Sequence, residues 1–162
     1  MAAPTPATRQ DPSGRMLGDG YRTLVSITSD RNIELWEVSV TPPSLEGDEP
    51  VDTSTMHNDR YRTKAPRGLV TLNDFTFTCN YDPVAYSSIS AIINVATTIT
   101  IYFPDGSSLC FYGFVRTFAP DSLEEGTVPT ATVTIVPTNM DPTNCVEAAP
   151  VYTAGTGTSP TC

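Results

Sequence analysis

Hydrophobic and polar positions alternate with period two along most of the chain, the spacing that sends successive side chains to opposite faces of a strand. This predicts strands at Tyr21–Ser29, Ile33–Val40, Leu69–Leu72, Phe75–Tyr81, Thr98–Phe103, Leu109–Phe118 and Thr130–Val136. In Phe75–Tyr81 the residues Phe75, Phe77, Cys79 and Tyr81 share one face; in Thr130–Val136 the inward set is Ala131, Val133 and Ile135. Ser29-Asp30-Arg31-Asn32 and Pro104-Asp105-Gly106-Ser107 are turn-forming tetrapeptides between strands and predict two hairpins. In the segment after the first turn, Ile33 and Leu35 fall on one face, with Trp36, Val38 and Val40 on the other.

The pattern changes to helical spacing once. Asp82 is a suitable N-cap, Pro83 suits the first helical position, and Ala85, Ile89, Ile92 and Ile93 form one apolar stripe. A helix over about 83–94 is therefore expected to cover one face of a sheet. Leu109–Phe118 is apolar on both faces, with Leu109, Phe111 and Val115 against Cys110, Tyr112, Phe114 and Phe118. Burial on both faces follows, either inside a two-sheet sandwich or against another subunit.

Three segments carry no core pattern. Residues 1–20 and 138–162 are rich in Pro, Gly and small residues and read as terminal arms around a β domain at 21–137. Residues 41–66 form a long inter-strand loop punctuated by Pro42, Pro43, Pro50 and Pro66. Loops beyond about 12–15 residues without structure of their own are uncommon in compact domains, and Thr53, Thr55, Tyr61 and Thr63 suggest one that orders against a partner.

Composition agrees with a mainly β chain. Among 162 residues there are 25 Thr, 15 Pro and 10 Gly, which favour strands and turns over helices. Eighteen Asp+Glu against 9 Lys+Arg give a formal charge of -9, the wrong sign for a surface that grips nucleic-acid phosphates. The N-terminus has no apolar run of signal-peptide type, and no stretch approaches the ~18 apolar residues of a membrane helix. Cys79, Cys110, Cys145 and Cys162 are widely spaced and read as reduced thiols, with Cys145–Cys162 or Cys79–Cys110 open as pairings in an oxidising medium. No metal site is expected, since the single His57 stands apart from the cysteines. A phosphate loop, GxSxG and HExxH are absent, so no catalytic residue and no cofactor is predicted.

The order of elements resembles the major tail tube proteins of long non-contractile-tailed bacteriophages, the siphovirus tail tube family. The resemblance runs from about Leu24 to Asp141. Its carriers are Val51-Asp52-Thr53-Ser54-Thr55-Met56, Asn58, Tyr61 through Leu69, Tyr81-Asp82-Pro83 opening a helix, Phe103 through Ser108, Gly113, and Pro129 through Ile135. It implies a β-sandwich or partly rolled barrel flanked by one helix, with subunits in hexameric rings that stack into a tube. It further implies a virion protein made and assembled in the host bacterial cytoplasm. Its partners would be its own copies, the tape measure protein and the tail tip or terminator. DNA would transit an acidic lumen without specific binding, and no membrane is involved.

By the same resemblance Val51, Asp52, Thr53, Thr55, Met56, Asn58, Tyr61 and Thr63 belong to the ring-to-ring contact, with Met56 and Tyr61 as anchors. Glu34, Glu37 and Asp105 are the candidate lumenal acids. Two alternatives stand beside the tube: a tail terminator or hub subunit of the same fold, and a glycan-binding β-sandwich.

Overall fold

The computed structural model describes residues 23–28, 32, 33, 35–104 and 106–154. Strands appear in chain order as β1 (Leu24–Thr28), β2 (Asn32–Ile33), β3 (Glu37–Thr41), β4 (Leu45–Gly47), β5 (Val51–Asp52), β6 (Lys64–Ala65), β7 (Val70–Leu72) and β8 (Phe75–Asn80). One helix among the described residues, α1 (Pro83–Ser90), follows. The chain continues through β9 (Thr97–Tyr102), β10 (Ser108–Pro120), β11 (Thr130–Pro137), β12 (Met140–Asp141), β13 (Val146–Glu147) and β14 (Val151–Thr153). The fold is mainly β, as expected: one large antiparallel sheet in the order β2-β1-β9-β10-β11-β8-β3, with β14 also on β10. No helix among the described residues is long and apolar enough to cross a membrane.

Both predicted hairpin pairings form, β1 with β2 and β9 with β10, but the strand expected over Ile33–Val40 is divided, since β2 ends at Ile33 and β3 pairs with β8 at the other end of the sheet. At the second, Phe103 N–H donates to Ser107 carbonyl (2.8 Å), and Gly106 takes a φ of 80° that a side chain would resist.

One face of the sheet is the core. Phe75, Phe77 and Cys79 on β8 stand beside Ile135, Val133 and Ala131 on β11 in register, and all six are buried. Ile99, Ile101, Phe111, Val115, Val25 and Ile27 extend the cluster, and Leu35, Leu72, Ile89 and Ile92 complete it. The helix is shorter than its stripe predicts. It stops at Ser90, and Asn94 turns the chain at a φ of 63° so that its N–H reaches the Val115 carbonyl (3.0 Å). Ile93 is consequently left partly exposed.

Two bulges change the face assignments read from alternation. Between Glu37 and Ser39 the register against β8 shifts, so Val40 lies opposite Phe77 and packs on the core while Trp36 and Val38 stay exposed. Between Val115 and Thr117 the register against β11 shifts likewise. Phe118 then lies opposite Val133 and joins the core-side aromatics, instead of the face carrying Cys110 and Tyr112. An extra residue in a strand reverses the in/out phase of everything after it.

The sheet is rolled but not closed. β2 and β3 occupy opposite ends of the strand order, yet only residues 34–36 separate them. Four extended residue steps reach about 14 Å at most, so the chain carries one edge of the sheet around to the other. A side chain bridges the seam: Glu37 on β3 accepts the Val25 N–H of β1 at 2.8 Å. Burial raises the Glu37 carboxyl pKa above its ordinary 4.5, against the lowering effect of that hydrogen bond. Beside it, burial and the Glu37 charge push the Cys79 thiol up to about 11.

A carboxyl with a raised folded pKa favours the fold below its unfolded value, and that contribution is lost as pH rises through the folded value. Glu37→Gln, which keeps the acceptor without the charge, should therefore leave the melting temperature at neutral pH unchanged or higher. Glu37→Leu should lower stability by about 1 kcal/mol through the unmet edge amide. Thermal denaturation of both variants is the check, and a destabilised Gln variant would contradict the assignment.

The C-terminal segment does not hang free over its described length. β11 pairs with β10 only from Gly113 to Pro120, leaving that side of Ser108–Cys110 open. β14 fills the gap, with Cys110 opposite Val151, because unpaired strand amides and carbonyls need partners. Cys79 and Cys145 are free thiols, which excludes both disulfide pairings considered from the sequence, while Cys110 is disulfide-bonded, contrary to the reading of the cysteines as reduced thiols.

Candidate assembly interface

Residues 44–73 form a two-stranded ribbon, where an irregular loop over 41–66 followed by a strand at Leu69–Leu72 is expected from the sequence. Leu45, Glu46 and Gly47 on β4 pair with Leu72, Thr71 and Val70 on β7. Val51 and Asp52 on β5 then pair with Ala65 and Lys64 on β6. Asn73 N–H to Ser44 carbonyl (2.9 Å) closes the base, and Thr53 N–H to Thr63 carbonyl (2.9 Å) continues the ladder to the tip. Prolines 42, 43, 50 and 66 all lie outside the paired residues, as the missing proline N–H requires. Nearly every stem side chain is exposed, including Leu45, Val51, Leu69 and Val70.

The tip is fixed by its own polar side chains. Asn58 works in both directions. Its Oδ1 accepts from Thr55 N–H (2.8 Å), and its Nδ2 donates to the Tyr61 carbonyl (2.8 Å). Ser54 Oγ accepts from Thr63 N–H (3.0 Å), and Thr53 Oγ1 donates to Thr63 Oγ1 (3.2 Å). Asp52 Oδ1 accepts from Ser54 N–H (2.8 Å), and its other oxygen lies 3.6 Å from the Arg62 guanidinium. Hydrogen bonds from Ser54 hold the Asp52 carboxyl below its ordinary 3.8. The tip is thus held by polar groups alone while its apolar side chains point away from the chain: Met56 is 103% exposed and Tyr61 82%.

All eight residues predicted for the interface therefore lie together on this tip and the last stem pair. Sequence reading included Ser54 and Arg62 in the span but not their role in holding the tip, and it missed the apolar stem residues Leu45 and Val70. The alternation of Thr and Ser from Thr53 to Thr55, facing Thr63, was the available signal for the first.

The lumenal candidates divide differently. Glu34 and Asp105 lie outside the described residues. Glu37 is half-buried in the seam, with its carboxylate on the Val25 amide. No group of three or more His, Cys, Asp or Glu side chains among the described residues is placed to hold a metal ion.

No protein-family model matches the chain, and no curated protein does. Solved structures do share the fold. One is a chain of the baseplate of the anti-feeding prophage (AFP), a sixfold-symmetrised cryo-electron-microscopy structure: TM-score 0.64, 8% identity, covering 86% of this chain and 97% of that one. Another is a chain in the tail of an empty GTA particle, refined helically with C6 symmetry: TM-score 0.56, 9% identity, covering 85% and 99%. At such identities the likeness is one of fold.

Proposed function

We propose that this chain is a structural subunit of a phage-type tail, forming sixfold rings that stack into a tube through which DNA passes. The observation that carries the reading is the ribbon. It leaves the sheet, is locked by its own hydrogen bonds, and offers Met56 and Tyr61 to no partner among the described residues. A monomer gains nothing from holding apolar side chains rigidly in water, whereas ordering them beforehand lowers the entropy cost of association. Chains of this fold occur in two sixfold particles, a baseplate and a tail, which supports a ring as the unit of assembly. The remaining partners would be a tape measure protein and the tail tip or terminator. The protein would be made and assembled in the host bacterial cytoplasm and reside in the virion tail, in a structural and not an enzymatic role.

The higher score against the baseplate chain favours one second reading, a hub or terminator ring that does not repeat along an axis. Negative-stain electron microscopy of concentrated purified protein separates the two. Stacked tubes are expected; single rings at every concentration would favour the hub reading, and monomers throughout would contradict both.

A further inference from the structure

The ribbon sorts its charge by strand. Its outgoing arm carries Glu46, Asp48, Glu49 and Asp52, and its return arm carries Arg60, Arg62, Lys64 and Arg67, all exposed. Arg62 lies 3.6 Å from Asp52, while Arg60, Lys64 and Arg67 have no ion pair among the described residues. With Asp59 at the tip, the ribbon is close to neutral as a whole, yet its two long edges have opposite sign. Elsewhere among the described residues the one Lys or Arg is Arg116, which pairs with Asp74 at 3.8 Å. The uncompensated cations of the described chain therefore all stand on the return arm.

A surface of complementary character stands at the far end of the same strands. The ribbon returns to the sheet where β8 begins at Phe75. β8 then runs to Asn80, opposite Thr130, and Asp121 N–H donates to the Thr130 carbonyl at 2.9 Å. Five extended steps of about 3.4 Å put the turn 121–129 roughly 17 Å from the ribbon base. That turn is ordered by its own bonds: Asp121 Oδ2 accepts from Thr130 Oγ1 (2.6 Å), and Thr127 Oγ1 donates to the Glu124 carbonyl (3.1 Å). It exposes Glu124 and Glu125, whose carboxylates have no partner among the described residues, beside the exposed Leu123 and Val128. Nucleic acid suits the return arm less well, since the acidic outgoing arm lies about 5 Å away across the ladder and would repel its phosphates.

We infer that the basic return arm of the ribbon docks on the acidic turn 121–129 of a second copy of this chain, in the next ring. The inference rests on the tube reading above and names the surface that receives the ribbon. The two patterns match: Arg60-Tyr61-Arg62 sets an aromatic anchor between two cations, and Leu123-Glu124-Glu125 sets an apolar side chain beside two anions. Complementary patches at opposite ends of one molecule make a head-to-tail contact, which repeats from copy to copy. The apolar anchors supply affinity, while the charges fix register and orientation. A ribbon presenting its outgoing arm to the turn would set Glu49 and Asp52 against Glu124 and Glu125, so the contact has one polarity.

The test is a charge exchange in the full-length chain. Glu124→Lys with Glu125→Lys reverses the turn, Arg60→Glu with Arg67→Glu reverses the ribbon arm, and a third chain carries all four substitutions. The concentration at which tubes appear is read by sedimentation and negative-stain electron microscopy, with circular dichroism checking the fold of each chain. Either reversal alone should raise that concentration about tenfold, and the chain with all four should return toward the parent value. Should the reversed turn fail to fold, the neutral pair Glu124→Gln with Glu125→Gln takes its place, with an expected rise of about threefold. A reversal that assembles like the parent, or a fourfold variant no better than the separate reversals, overturns the inference while the parent's tubes stand. Single rings or monomers from the parent chain overturn the tube reading itself, and this inference with it.

Discussion

Replacing residues 52–59 with a short Gly/Ser linker should abolish tube formation while leaving the domain folded. Every hydrogen bond made by the side chains of Asp52, Ser54, Thr55 and Asn58 stays within residues 52–63. None of these residues belongs to the core cluster. The variant should therefore keep the circular dichroism spectrum and melting temperature of the parent and sediment as a small species at concentrations where the parent assembles. A milder pair, Met56→Ser with Tyr61→Ser, keeps the polar frame of the tip and removes only the anchors. Anchors of this type contribute about 2 kcal/mol each at an interface centre, and roughly 1.4 kcal/mol is a tenfold change in affinity. The double variant should thus need roughly several-hundredfold higher concentration to assemble. A linker variant that still forms normal tubes would remove the ribbon from the assembly contact.

The second large effect is on folding. Phe75 is fully buried, its ring 5.4 Å from Phe77 in a stacked arrangement and 6.2 Å from Phe111 edge-on. It stands where β8 meets β11, opposite Ile135, directly after the ribbon returns through β7. Phe75→Ala should cost about 3–5 kcal/mol, from lost burial and the cavity left behind. That is a large share of the roughly 5–15 kcal/mol that stabilises an average domain. Chemical denaturation is the measurement; a loss below about 1 kcal/mol would mean that this part of the core is not packed as described.

Much of the fold was legible because burial imposes a period. Phe75, Phe77 and Cys79, with Ala131, Val133 and Ile135, announce two strands and their inward face, and the structure pairs those residues in register. Asp82-Pro83 marks where the helix begins. What period cannot show is a change of phase. The bulges at Glu37–Ser39 and Val115–Thr117 insert one residue each and carry no compositional mark, so Val40 and Phe118 were assigned to the wrong faces. Contacts between the ends of the sheet were equally hidden. Glu37 looked like a wall charge on an early strand, and only the rolling that brings β3 to β1 makes it the acceptor for Val25. The residues proposed for the interface were legible as a cluster in the chain, but their order was not, since it depends on Asn58 reaching two sides of a turn at once.

The central claim is that the ribbon tip is a contact between subunits, and thiol protection at the tip tests it most directly. Met56→Cys, in a Cys145→Ser background, places a reactive thiol where the side chain is fully exposed in the free chain. Cys79 stays silent, since it is buried and its pKa is pushed up to about 11. The account predicts rapid labelling by a small maleimide in the free chain and loss of that labelling in assembled tubes. Equal labelling in both states would contradict it.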